Sequence, residues 1–161
     1  MAPTGLSVLR SAQHLMAKRF EFLDDVAMAD AAFVAYGHSL DEVFLAATEA
    51  LIVTLADPGT IIPTVSEVLL IQQDTLEDLL VDWLNVLVFL KDARGMVFSH
   101  ASLNVKQDPS GQGWRADGQV HGALVDPHSQ VLRGDVKAVT KHWFSLNQVG
   151  EEWVARVVMD L

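Results

Sequence analysis

Carboxylates are the side chains of this sequence best placed to do chemistry. Asp24, Asp25 and Asp30 fall within one short stretch, and Asp160 stands beside Leu161, whose free carboxylate ends the chain. Oxygen donors of this kind suit hard cations such as Ca²⁺, Mg²⁺ or Mn²⁺ and suit Zn²⁺ poorly. If they gather in space they repel one another, and only a bound cation or raised pKa values relieve that. The spacing alone leaves three readings open: a cation site, a docking face for a basic partner, or a solvated acidic surface.

Other chemistries find less support. There is no cysteine, which removes disulfides, thiolate metal sites and cysteine nucleophiles, and is compatible with a reducing cytoplasm. His14, His38, His100, His121, His128 and His142 include no pair at helical metal-binding spacing, so each is expected to be a surface or sheet residue. No Gly-x-Ser-x-Gly turn and no phosphate-binding Gly-x-x-x-x-Gly-Lys loop occurs. Trp114, Trp143 and Trp153 alternate with basic residues, as a base-stacking platform would, but an acidic chain has little attraction for phosphate backbones. Core packing is the expectation for all three.

The net charge of −10 is made by one block. Between Phe20 and Leu90 there are thirteen Asp and Glu and no Lys or Arg. The first nineteen residues hold three basic groups and no acid, and from Lys91 onward eight bases balance eight acids. Apolar runs such as Leu79–Leu90 are too short for a membrane span. Met1–Arg19 lacks the solid apolar centre of a secretory signal and is read as a helical or loose extension. Residues 20–161 are read as one domain.

Two helices and several strands must position the carboxylates. Ser39 with Glu42 forms a capping box, followed by Leu40, Val43, Phe44, Ala47 and Leu51 at helical spacing, which predicts a helix from Ser39 to about Asp57. Thr75 with Asp78 opens a second, Thr75–Lys91, that ends before Gly95. Strands are predicted at Phe20–Leu23, Ala31–Tyr36, Ile61–Gln72 and throughout the chain beyond Gly95. There Trp114, Ala116, Gly118, Val120 and Gly122 alternate with polar residues. The expected fold is α+β in two layers, with two helices on one face of a mixed β-sheet.

Four stretches, in order, resemble the archease family. They are Phe20-Glu21-Phe22-Leu23-Asp24 with Ala29-Asp30 and Tyr36-Gly37-His38-Ser39-Leu40-Asp41-Glu42-Val43-Phe44; Leu76–Asn85; Asp135–His142; and the ending Trp153-x-Ala155-Arg156-Val157-Val158-x-Asp160-Leu161. The resemblance implies a small acidic helper, itself no enzyme and without catalytic residues. Its partner would be an RtcB-type RNA ligase, which joins 2′,3′-cyclic phosphate or 3′-phosphate ends to 5′-hydroxyl ends using GTP and a divalent metal. It implies activation of that ligase's guanylylation in tRNA splicing or RNA repair, a cytoplasmic location, and no sequence-specific nucleic-acid binding or membrane association of its own. It also implies a divalent metal held by Asp30, Asp160 and the Leu161 carboxylate.

The sequence departs from the family at several of its words. The usual Asp-His-Thr-Ala-Asp is here Asp24-Asp25-Val26-Ala27-Met28-Ala29-Asp30, two residues longer and without the His and Thr. Asp24 or Asp25 is therefore a candidate additional or substitute ligand. The family's Gly-Glu is Gly122-Ala123, the following His falls at Gln130, and the Tyr of Thr-Tyr-His is Lys141. These lost groups are expected in or near the acidic pocket. Two other readings follow: a diverged relative acting as an acidic, chaperone-like interaction module, or a divalent-metal-dependent enzyme.

Overall fold

The computed structural model describes residues 19–24 and 30–161. Asp25 and all of the predicted N-terminal extension except Arg19 lie outside the described residues. The chain order is β1 (Phe20–Leu23), β2 (Asp30–Gly37), α1 (Leu40–Leu55), a short 3₁₀ turn (Pro58–Thr60), β3 (Val65–Gln73), α2 (Leu76–Arg94), β4 (Met96–Gln107), β5 (Trp114–Leu124), β6 (Ala138–Val149) and β7 (Glu152–Asp160).

Both helices begin where their caps predict. The Ser39 hydroxyl accepts from the Glu42 amide at 3.1 Å, and the Glu42 carboxylate reaches back to the His38 amide at 2.6 Å. Thr75 accepts from the Asp78 amide at 3.1 Å. The Ser39 and Thr75 bonds each satisfy an amide that a helix start leaves without an intrahelical partner. α2 stops at Gly95, which takes the left-handed conformation (φ 62°) open to glycine at little cost. α1 ends at Leu55, two residues before the Asp57-Pro58-Gly59 turn that was expected to stop it.

The α+β composition and the two helices match the prediction, but the strands form two sheets instead of one mixed sheet. The first has the order β1-β2-β7-β6 and the second β3-β5-β4, with every neighbouring pair antiparallel. Period-two alternation tells which face of a strand is buried, and strand partners are then chosen by contacts far apart in sequence. The first sheet illustrates this, because β2 pairs with β7 from the opposite end of the chain.

One apolar core joins both helices to both sheets, with Phe33, Phe44, Leu51, Leu79, Trp83, Leu87, Phe98 and Met159 buried in it. The Trp83 indole N–H donates to Thr48 Oγ1 at 2.9 Å, and that hydroxyl donates to the Phe44 carbonyl at 2.7 Å, so the polar groups at the centre are paired. The helices also cap exposed sheet edges. Asn85 of α2 donates to the Val139 carbonyl (2.9 Å) and accepts from its amide (2.8 Å) on edge strand β6. Asp41 of α1 accepts from the Val105 amide (2.6 Å) on edge strand β4. Side chains thus take the place of a missing neighbouring strand.

Trp114 and Trp153 pack against the core as expected, and Trp143 does not: it is 61% exposed. The β6–β7 register jumps from Thr140↔Val158 to Ser145↔Arg156, so residues 141–144 drop out of the alternation that would have turned Trp143 inward. Trp143 has φ 55°, uncommon for a bulky side chain, and its ring stacks on His142 with the Arg156 guanidinium 5.9 Å from its centroid.

Candidate functional site

The antiparallel pairing of β2 with β7 places Asp30 directly opposite Asp160. Opposed residues of an antiparallel pair point to the same face. Here that face is the one away from the helices, since the alternate positions Ala31, Phe33 and Ala35 face the core opposite Met159, Val157 and Ala155. Leu161 follows at once, half-buried against the core. Asp30 and Asp160, far apart in sequence, therefore meet. Asp24 lies exposed just past the end of β1, where Leu23 pairs with Ala32 of β2.

Like charges directly opposite each other on a sheet destabilise it. Among the described residues, the ion pairs involve neither Asp30 nor Asp160. On the other side of Asp160 stands Ala138 of β6, and the Asp160 carbonyl accepts from the Lys137 amide at 2.8 Å. One pair further along the same face, the buried Thr140 hydroxyl has no hydrogen-bond partner. Paired carboxylates with no base paired to them among the described residues offer oxygen donors of the kind a hard cation takes. Among the described residues no three His, Asp or Glu side chains gather at metal-holding spacing, so such a site would rely on the chain terminus as well.

The rest of the acidic block is largely spent on structure. Glu67 pairs with Arg94, Asp78 with Lys141 and Asp57 with Arg133, each base coming from the balanced C-terminal half. The Lys141 ammonium beside Asp78 holds that carboxyl below its ordinary range. Asp41 and Glu42 serve backbone amides, and Asp82 accepts from Gln73. Burial pushes the Glu49 carboxyl up, against the opposing pull of Arg19. A run of acids in sequence is not one acidic face in space.

Not all positions where the sequence departs from the family pattern lie at the carboxylate corner. Ala123 and Gln130 line a cleft of about 380 Å³ at one end of the second sheet, with Thr60, Ile62, Val65 and Leu124 among its other walls. Neither Asp30 nor Asp160 lines it. Lys141 sits on β6 in its pair with Asp78. Ala123 and Gln130, expected in or near the acidic pocket, thus line a separate cleft, because strand pairing puts the β5 end on the other sheet. A pairing that a search at helical spacing misses lies on that sheet: His100 and His121 are register partners.

Two antiparallel sheets around two helices, with paired aspartates brought together beside the C-terminus, define a small single-core α+β class. The archease family model matches residues 20–161, and the chain belongs to that family. It is similar to the archease proteins of Methanothermobacter thermautotrophicus (34% identical over 145 residues, 89% of this chain and 99% of that one) and Methanosarcina acetivorans (33% over 145 residues, 89% and 97%). The solution structure of a Methanobacterium thermoautotrophicum protein superposes with a TM-score of 0.74 at 33% identity, covering 89% of this chain and 99% of that chain. A crystal structure from Thermotoga maritima, described as an archease and possible chaperone, has the same fold at 19% identity and a TM-score of 0.56, covering 84% and 93%. No helix among the described residues is long and apolar enough to cross a membrane.

Proposed function

We propose that this protein is a non-enzymatic activator of an RtcB-type RNA ligase, promoting the ligase's guanylylation. In this reading Asp30, Asp160 and the Leu161 carboxylate hold a divalent cation, Ca²⁺, Mg²⁺ or Mn²⁺, and Asp24 or Asp25 is an added or substitute ligand. The observation that supports it most is the Asp30↔Asp160 register pair next to the terminus, with no lysine or arginine paired to it among the described residues. A bound cation would supply positive charge where two carboxylates otherwise repel. The chain's own part is to hold those oxygens on two hydrogen-bonded strands, so that little rearrangement is needed on binding.

Single-turnover guanylylation of the cognate ligase tests this. The wild-type chain is expected to accelerate it, and Asp160→Ala to abolish the stimulation while the circular-dichroism spectrum stays unchanged. A C-terminal extension is expected to do the same, since it removes the free carboxylate. Equal stimulation by all three proteins would show that the carboxylate corner is not the working part.

A second reading, a chaperone-like interaction module, is favoured by the apolar side chains left open around the second sheet, Ile62 at 77% and Val68 at 78% exposed. That reading expects partner binding to survive Asp160→Ala and to fail on Ile62→Asp.

A further inference from the structure

The outward face of the second sheet carries two imidazoles that the carboxylate corner does not use. His100 on β4 and His121 on β5 are register partners, and Ser66 of β3 stands next in the same row. Their rings stack with centroids 4.4 Å apart and planes 12° from parallel.

A β-bulge makes this pair. Phe98 points into the core, so strict alternation would turn His100 inward as well. The register instead passes from Phe98↔Gly122 to His100↔His121, leaving Ser99 as the extra residue. Ser99 and His100 then both face outward, and Ala101 packs against the core. Gly122 permits the close approach of the strands there, because a Cβ at that position would collide with the Val97 carbonyl oxygen.

Ser99 also holds its neighbour by one ring nitrogen. Its hydroxyl donates to the His121 carbonyl at 3.2 Å and lies 2.7 Å from His100 Nδ1. A hydroxyl has one proton to give. With that proton directed at the carbonyl, Oγ is free to accept from a His100 ring protonated at Nδ1, the tautomer that leaves Nε2 as the ligand nitrogen. A ring held through one N–H and free at its other nitrogen is the arrangement found in metal-ligating histidines. One flank of the row is the small apolar cluster of Ala56, Ile61, Val97 and Ala123. On the other, Ser102 and Gln119 come next, and the cations Lys106 and Arg115 stand at the far end of the strands.

We infer that His100 and His121 form a two-imidazole site for a borderline divalent cation such as Zn²⁺, chemically distinct from a hard-ion site at the carboxylates. With Zn–N bonds of ~2.0–2.1 Å, two nitrogens on one tetrahedral ion stand about 3.4 Å apart. The stacked rings hold their lone pairs nearly parallel, so binding requires the His121 ring to swing out of the stack about χ1 and χ2 while His100 keeps its contact with Ser99. Water fills the other positions, so the affinity is well below that of a four-ligand structural site.

Zn²⁺ titration of the full chain, with Ca²⁺ in excess to occupy the carboxylates, tests the site by calorimetry and by long-range ¹H–¹⁵N spectra of the imidazoles. One Zn²⁺ per chain is expected, with the nitrogen resonances of His100 and His121 moving together and the metal-free His100 protonated at Nδ1. His100→Gln and His121→Gln are each expected to abolish uptake, and Ser99→Ala to weaken it about 10-fold and to release the tautomer preference. Both histidines lie on the sheet surface, and unchanged melting temperatures of the variants confirm that they fold. Zn²⁺ uptake that persists in the double His→Gln variant overturns the inference. So does the absence of any shift at these two rings up to ~1 mM Zn²⁺.

Discussion

The outward faces of the two sheets carry the same device built from different chemistry. On the first sheet an antiparallel register opposes Asp30 and Asp160; on the second it opposes His100 and His121. The aspartates are two like acidic groups without a basic partner among the described residues, and in the proposed reading a hard cation relieves their repulsion. The imidazoles stack face to face, and the Ser99 hydroxyl holds one of them at Nδ1. Regular strand alternation suffices to build the first pair, while the second needs a bulge and a glycine. Cross-strand pairing thus makes a bidentate set from residues far apart in sequence, and residue type then decides which ion class it suits.

The largest expected effect comes from breaking the backbone device on the second sheet. Gly122→Val puts a side chain into the Val97 carbonyl and is expected to destabilise the fold by about 3 kcal/mol, measured by urea unfolding. An effect below ~0.5 kcal/mol would mean that the strands can separate there at little cost.

Ligand linkage distinguishes the carboxylate pair. Saturating Ca²⁺ at 100 times its Kd is expected to stabilise the wild-type chain by ~2.7 kcal/mol and Asp160→Ala by nothing. An equal rise in melting temperature for both proteins would place the ion elsewhere.

The shared core supplies a control beneath both regions. Thr48→Val leaves the buried Trp83 indole N–H without its partner and is expected to cost about 2 kcal/mol, with Zn²⁺ and Ca²⁺ affinities unchanged. Loss of either affinity would show that the pairs depend on the core rather than on strand register alone.

Asp160→Asn in metal-free buffer removes the cross-strand repulsion and is expected to raise stability by up to ~1 kcal/mol. A destabilised variant would show that the aspartate pair is not repulsive without metal.

The smallest effect lies outside both pairs. Lys141 lowers the pKa of Asp78, so this pair stabilises the fold above the unfolded carboxyl pKa, and that contribution is lost as pH falls through the folded one. Lys141→Ala is expected to flatten the acid limb of the melting-temperature profile slightly, since the pair is solvent-exposed. An unchanged acid limb would assign that slope to other carboxylates.

Local signals are legible in the sequence alone. Ser39 and Thr75 opened the helices because a cap acts over three residues, and Gly95 closed one because a left-handed turn favours glycine. The alternation in β5 identified Ala116 and Val120 as core for the same reason of short range. What alternation cannot carry is an interruption of itself. The expectation for Trp143 failed at the bulge in β6, and the His100–His121 pair was missed at the bulge in β4.

The sequence by itself determined the composition of the molecule: two capped helices, period-two strands, an excess of acid in one block, and family words that single out Asp30, Asp160 and Leu161. Only the tertiary structure decided which residues meet. It divided the strands between two sheets, spent much of the acidic block on caps and ion pairs, and set Asp30 against Asp160 across the whole length of the chain. The physical reason is that caps, turns and alternation act over a few residues, whereas strand partners and bulges are settled by the packing of a core drawn from every part of the chain.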